Sequence, residues 1–275
     1  MRIAVIISCF NRSPVTQKCI QSLEDHRPPN WQLTYFVFDD GSDDGTPNML
    51  SSLPIDLVLK IGNGDFYWAK SMATAMKDAR SIDPDAYLLL NDDVSFHDKN
   101  ALLSFQYSVD QHNGTVVVGQ LIDSISGEIS YGGLTRNGRH PFRTTLAINN
   151  SHDSEIDTFH GNFVYIPKQV VEIVGCLDGK FQHAYADFDY GYRIKKAGFK
   201  IILSSAPVGS CSTNNTLAYE NFGSFLRILF SRKGRPLKSQ IRFARKHGGP
   251  EWPIYVISGY LMPVIRYFQK NVQGS

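Results

Sequence analysis

Residues 87–94 read YLLLNDDV, an apolar run that ends abruptly in an amide and two carboxylates. Four apolar residues in a row describe a strand buried on both faces, which confines the chain to a sheet covered by helices on either side. Ligands of open α/β sheets lie just beyond the carboxyl ends of such strands, so Asn91, Asp92 and Asp93 stand at the mouth of a crevice. Two adjacent acids repel each other there unless a cation or a donor-rich ligand shares the site, and hard oxygen ligands suit Mg²⁺ or Mn²⁺ carrying a diphosphate. A solvated turn in which Asp93 caps a following helix is the competing reading of the same residues.

The rest of the first half repeats the pattern. Residues 3–7 (IAVII) and 33–38 (LTYFVF) are strands by run length and β-branching, 55–59 is a shorter one, and helical stretches around 19–23, after Thr46 and over 67–80 separate them. Strands alternating with helices at this spacing predict a mostly parallel sheet built from βαβ units. Every strand end carries polar residues: Ser8, Asn11 and Arg12; Asp39 and Asp40; Asn63 and Asp65; and 91–93. Neither G-x-G-x-x-G nor G-x-x-x-x-G-K-[ST] occurs, so a nucleotide is held by some means other than a glycine loop.

Farther on, 99–112 reads as a helix, 115–121 as a strand and 128–131 as the start of another. The glycine-rich and basic 132–143 reads as a loop over or beside the crevice, with Arg136, Arg139 and Arg143 either solvated or meeting phosphate or acceptor. Residues 157–166 are strand-like, Pro167 opens a helix that Gly175 stops, and 187–198 is a helix closed by Gly198, followed by a strand over 199–203. Asp187 falls in or just before the first turn of its helix, where the macrodipole favours a carboxylate. Taken alone, Asp187 and Asp189 also fit an N-cap and a partner for Arg193 or Lys195.

A chain of 275 residues with 42% hydrophobic content buries a sizeable core. Cys9, Cys19, Cys176 and Cys211 lack metal-site spacing and disulfide density, which predicts reduced thiols and a cytoplasmic protein. The opening MRIAVIISCF reads as a first strand rather than a signal peptide. The net charge of +2 is uneven: from Arg227 onward ten Lys and Arg face Glu251 alone, about +9, against about −7 for the remainder. The expected organisation is therefore 1–215 as a catalytic domain and 216–275 as a basic, partly apolar helical appendage for membrane-interface contact, packing or homodimerisation. Its apolar run, 253–265, is short for a bilayer span, and anionic lipid on the inner face of the cell membrane would attract the cations. A basic patch also raises nucleic acid, but no nucleic-acid motif accompanies it.

Five stretches carry a resemblance: ISCFNR at 7–12, DDGSDDGT at 39–46, LLLNDDV at 88–94, FHGNFVYIPKQVVEIVGCLD at 159–178 and ADFDYGYRIKKAG at 186–198. In this order and spacing they resemble the inverting nucleotide-sugar glycosyltransferases of the GT-A fold, in the large family-two group. The flavour is that of bacterial rhamnosyltransferase-like enzymes that build capsule, O-antigen or other surface polysaccharide. The resemblance implies that Asp39 receives the nucleobase, that Asn11, Arg12, Asp40, Asn63, Asn91 and Asp92 line the nucleotide, and that Asp93 holds Mg²⁺ or Mn²⁺. Asp187 falls on the family's catalytic carboxylate, with Tyr67, Trp68, Lys70, His160, Gly161, Asn162 and Asp189 completing the donor and acceptor pocket. Two departures stand out: Ala186 replaces a frequent Glu, and 204–215 has no histidine where many relatives carry one that helps hold the metal.

The implied chemistry is a single displacement, in which Asp187 deprotonates an acceptor hydroxyl as it attacks the anomeric carbon of a nucleotide-diphospho-sugar. The acceptor is a saccharide or lipid-linked saccharide. A sugar-phosphate nucleotidyltransferase is the rival enzyme class, but it calls for a glycine-rich basic loop near the first strand, where SCFNRSPV offers one cation. A nucleotide-sugar-binding module without catalysis is the non-enzymatic alternative.

Overall fold

Apolar side chains on the long central strands alternate between two helical layers, as a sheet covered on both faces requires. The computed structural model describes all residues except 149–151, 183, 213–220, 232–235 and 274–275, and the side chains of 270–273. The first half runs β1 (Arg2–Cys9), α1 (Ser13–His26), β2 (Gln32–Asp39), α2 (Thr46–Ser52), β3 (Leu57–Ile61), α3 (Tyr67–Asp78), β4 (Ala86–Leu90), α4 (Lys99–Gln111) and β5 (Val116–Ile122). The short strands β6 (Ile129–Tyr131), β7 (Gly133–Arg136), β8 (Thr144–Leu146), β9 (Ser154–Glu155) and β10 (Thr158–Phe159) follow. The chain then continues through β11 (Phe163–Pro167), α5 (Lys168–Val174), α6 (Ala186–Lys196), β12 (Ile201–Ser210), α7 (Phe222–Leu229), α8 (Leu237–His247) and α9 (Trp252–Gln273).

The main sheet has the order β3-β2-β1-β4-β11-β5-β12-β9, with β6 on β5. Strand β4 lies at its centre with all five residues buried, parallel to β1 and antiparallel to β11. Ile3, Val5, Ile7, Leu88 and Leu90 enter one buried cluster with Cys19, Ile20 and Leu23 of α1. Ala4, Ile6, Tyr87 and Leu89 enter the other with Ala69, Met72 and Met76 of α3 and Tyr190 and Ile194 of α6. The mostly parallel α/β sheet expected from the sequence is present, flanked by helices, with β11 as an antiparallel insertion.

Two expectations change. The strand read over 157–166 breaks at residues 160–162, so that β10 joins a second sheet, β10-β7-β8, while β11 continues in the first. The stretch 132–143 is only partly loop, because residues 133–136 pair as β7; the glycines hide a strand where Ile156 leaves no room, a Cβ at Gly133 falling 2.6 Å from Ile156 Cδ1.

Of the uses expected for the C-terminal region, packing on the first part of the chain is seen for α8. Phe243 and Ala244 of α8 are wholly buried, and Phe243 belongs to the same cluster as β4 and α6. The expected boundary at 215/216, part of the histidine-free stretch, and Arg232, Lys233, Arg235 and the Lys270 side chain lie outside the described residues.

Candidate functional site

The carboxyl ends of β1, β2 and β4 open on one side of the sheet. Beyond β2, Asp39 is wholly buried; its carboxylate accepts the Ser42 N–H at 3.2 Å and the Ser42 hydroxyl, and Ser42 Oγ in turn accepts the Asn11 N–H at 2.8 Å. Asn11 Oδ1 accepts the Asp43 N–H at 2.9 Å. The two strand ends are therefore laced together by their own side chains. Cys9, at the end of β1, adds to the same lacing: its thiol reaches Asp39 Oδ1 at 3.8 Å, and burial first, then the charges of Asp39 and Asp92, push its ionisation far up.

Beyond β4, a single nitrogen of Arg12 bridges both acids, Nη1 lying 2.8 Å from Asp92 Oδ1 and 3.1 Å from Asp93 Oδ2. The remaining oxygens are also engaged: Thr16 donates to Asp92 Oδ2 at 3.3 Å, and the Cys211 thiol to Asp93 Oδ1 at 3.3 Å. Burial pushes the Asp92 carboxyl up to about 6, with Arg12 opposing it and Asp93 adding to it. Burial lowers the Arg12 value, but the two carboxylates overcome it and raise it overall.

Asn91 turns the other way. Its Oδ1 accepts the indole N–H of Trp68 at 2.8 Å, and its backbone N–H donates to Asn162 O at 3.0 Å. The turn at 160–162 packs beneath that indole, since a Cβ on Gly161 would lie 2.8 Å from the Trp68 ring and 3.5 Å from Asp187 Cβ. The Gly161 N–H donates to Asp187 Oδ2 at 3.2 Å and the Phe188 N–H to Oδ1 at 2.9 Å. Burial raises the Asp187 carboxyl to about 6 against those two donors. His160 packs edge-to-face between Tyr131 and Phe188 and is drawn down to about 4 by burial, so its imidazole is neutral at pH 7. Left-handed backbone stands at Asn11, Tyr67 and Tyr185 (φ 50°, 54° and 75°), each within two residues of Arg12, Trp68 or Asp187, a conformation non-glycine residues hold only where surroundings enforce it.

Asp39, Asn11, Arg12, Asp92, Asp93, Asn91, Trp68, Gly161, Asn162 and Asp187 thus form one connected cluster. Other sequence-predicted residues make contacts outside this cluster. Asp40, expected on the nucleotide, is buried and accepts the N–H groups of Gly64, Phe66 and Tyr67 at 2.8–3.2 Å, so it builds the start of α3. Asp189, expected in the pocket, is wholly buried against Arg193 (2.8 Å), Lys246 (2.9 Å) and His247 (2.9 Å). Lys70 lies 3.4 Å over the Phe66 ring, and exposed Asn63 accepts from Asp65 N–H at 3.4 Å. Arg136 donates to the carbonyls of Arg139 and His247 and covers Tyr192, which ties β7 to α8 rather than to the crevice.

Sequence reasoning missed Ser42, Thr16, Cys9 and Cys211. Thr16 follows Arg12 by four residues, one helical turn, and this spacing was the available signal. The thiols gave none, because a buried cysteine reads as a small hydrophobe.

The donor set as folded does not fit Mg²⁺ or Mn²⁺. Such ions take carboxylate and water oxygens, yet all four oxygens of Asp92 and Asp93 already accept protein donors. No group of three His, Cys, Asp or Glu side chains converges among the described residues. Asp93, expected as the metal ligand, has Arg12 and Cys211 for partners because Arg12 projects from the adjoining strand end.

No curated protein matches this sequence. Among solved structures, S. aureus TarS 1–349 in complex with UDP-GlcNAc matches at 15% identity with a TM-score of 0.60, over 96% of this chain and 72% of that one. The mannosyltransferase PcManGT from Pyrobaculum calidifontis, in complex with GDP-Man and Mn²⁺, matches at 16% identity with a TM-score of 0.54, over 94% and 69%. These likenesses show the GT-A fold. The glycosyl transferase family 2 model matches residues 4–173, more than half of the sequence and every strand end just described except that of β12, and the chain belongs to glycosyl transferase family 2.

Proposed function

We propose that the protein is an inverting glycosyltransferase that moves a sugar from a nucleotide-diphospho-sugar to a saccharide or lipid-linked saccharide in bacterial surface polysaccharide synthesis. One observation carries the reading: a continuous series of contacts runs from Asp39 through Ser42 and Asn11 to Arg12, Asp92 and Asp93, and from Asn91 through Trp68 and Gly161 to Asp187, linking the strand-end acids to the carboxylate at the start of α6. Asp39 and Asn11 receive the nucleoside, Trp68 and Gly161 shape the sugar recess, and Asp187 takes the acceptor proton as the hydroxyl oxygen attacks the anomeric carbon. The bond from that carbon to the diphosphate breaks as the new one forms, and the nucleoside diphosphate leaves. The Gly161 and Phe188 N–H groups orient the base and keep it ionised near neutrality.

The test is incubation of the whole protein with UDP-, GDP- and dTDP-sugars and saccharide acceptors. A rhamnosyl donor heads the panel, because the sequence resemblance is to rhamnosyltransferase-like enzymes. Nucleoside diphosphate release that requires acceptor supports transfer; release from donor alone counts against it, and binding without release supports the binding-module alternative.

A peripheral membrane contact fits the same reading. Ile254, Ile257, Leu261, Ile265 and Phe268 form an exposed apolar stripe along α9, whose sequence holds no acid. Among the described residues no helix is long and apolar enough to cross a membrane. An anionic lipid surface suits this stripe better than a second copy, which would set two basic tails against each other.

A further inference from the structure

We infer that Arg12 is the resident cation of the donor site, its guanidinium meeting the diphosphate where a divalent metal would otherwise stand. The inference rests on the nucleotide-sugar reading and adds to it the identity of the counter-charge.

Four observations support it. Nη1 of Arg12 is shared between Asp92 and Asp93, so the guanidinium is held at two points on one edge. Thr16 and Cys211 occupy the outer oxygens of those acids, which leaves the carboxylates as anchors for Arg12 rather than as ligands for an ion. Arg12 donates to both acids through Nη1 alone, and among the described residues its Nε and Nη2 have no protein acceptor. The side chain is 38% exposed, and it rises from the end of β1 beside the Asn11, Ser42 and Asp39 lacing. A planar guanidinium with one edge pinned and the other open matches two phosphate oxygens in a parallel pair of hydrogen bonds. Past β12, among the described residues, Asp93 is met by the Cys211 thiol, which donates to it rather than standing beside it as a second ligand for an ion.

The experiment is calorimetric titration of the whole protein with UDP, GDP and dTDP, once in EDTA and once in Mn²⁺. The expected result is that the preferred nucleoside diphosphate binds in both, with dissociation constants within about threefold. Arg12→Ala is expected to weaken that binding by about 10- to 100-fold, the scale of a charge-assisted pair. The same variant uncovers two adjacent carboxylates and is expected to take up Mn²⁺, read by the loss of the free-ion paramagnetic resonance signal, where the wild-type protein takes up none. Arg12→Lys, which keeps the charge without the fork, is expected to fall between the two. Binding that needs Mn²⁺ in the wild-type protein overturns the inference and leaves the nucleotide-sugar reading standing. Binding of no nucleoside diphosphate under either condition overturns both. The wild-type comparison requires no variant to fold.

Discussion

An acid that must take a proton at neutral pH works best when its own affinity for protons lies close to that range. Burial lifts the Asp187 carboxyl to about 6, while Gly161 and Phe188 stop it rising further. On the proposed mechanism Asp187→Asn lowers kcat by about 10²- to 10⁴-fold, with nucleoside diphosphate affinity unchanged in a titration. In the wild-type protein kcat/KM falls as the pH drops below about 6, and the Asn variant's residual rate shows no such step. Stability moves the opposite way. The carboxyl is raised in the folded state above its ordinary 3.8, so ionising it costs nothing below about pH 4, and the full penalty stands above about pH 6. The Tm difference between the Asn variant and the wild type therefore shifts in the variant's favour between about pH 5 and pH 7.5, whatever its constant offset. Gly161→Ala drives a methyl against the Trp68 ring and is expected to shift tryptophan emission while lowering transfer.

At the level of elements, α8 is a wedge. Phe243 stacks on Tyr185 at 5.3 Å and lies 5.1 Å from Phe142, while Arg242 and Lys246 reach Asp178 at 2.6–2.8 Å. Phe243→Ala is expected to cost about 3–5 kcal/mol in thermal or denaturant unfolding. It should also slow transfer, because Tyr185 sets the backbone two residues before Asp187. Exposed Ile257→Ala is the control, expected within about 0.5 kcal/mol of wild type. Burial resists the ionisation of Asp189, but His247, Lys246 and Arg193 outweigh it and hold the carboxyl at about 2. Its share of the clamp is then intact above about pH 4 and is lost as the pH falls toward 2. The sequence made β1 to β5, α4 and α6 legible, because run length and periodicity act locally. It left β7 and the inward turn of α8 hidden: the first is spelled in glycines, and the cations of the second read as surface until Asp178 and Asp189 are seen opposite them. At the site the strand-end acids stood out by position. The sorting of Asp39 from Asp40, and of Asp187 from Asp189, follows from which backbone N–H groups and cations lie within reach, which no local pattern encodes.

For the molecule as a whole, charge and apolar surface are divided between α8 and α9. The described cations of α8 that meet acids face the catalytic body, and the stripe on α9 faces outward. The protein is expected to float with vesicles containing anionic lipid and to be released by high salt. Ile257→Asp together with Leu261→Asp is expected to abolish flotation without changing transfer to a water-soluble acceptor. Equal flotation with purely zwitterionic vesicles would count against the charge component, and a concentration-dependent dimer by light scattering would assign the stripe to a second copy. The buried Phe243 has a consequence for anyone recombining such enzymes. A chimera that exchanges everything from α7 onward splits a jigsaw through its middle piece, so a working hybrid must inherit Tyr185, Asp178 and Asp189 from the same parent as α8.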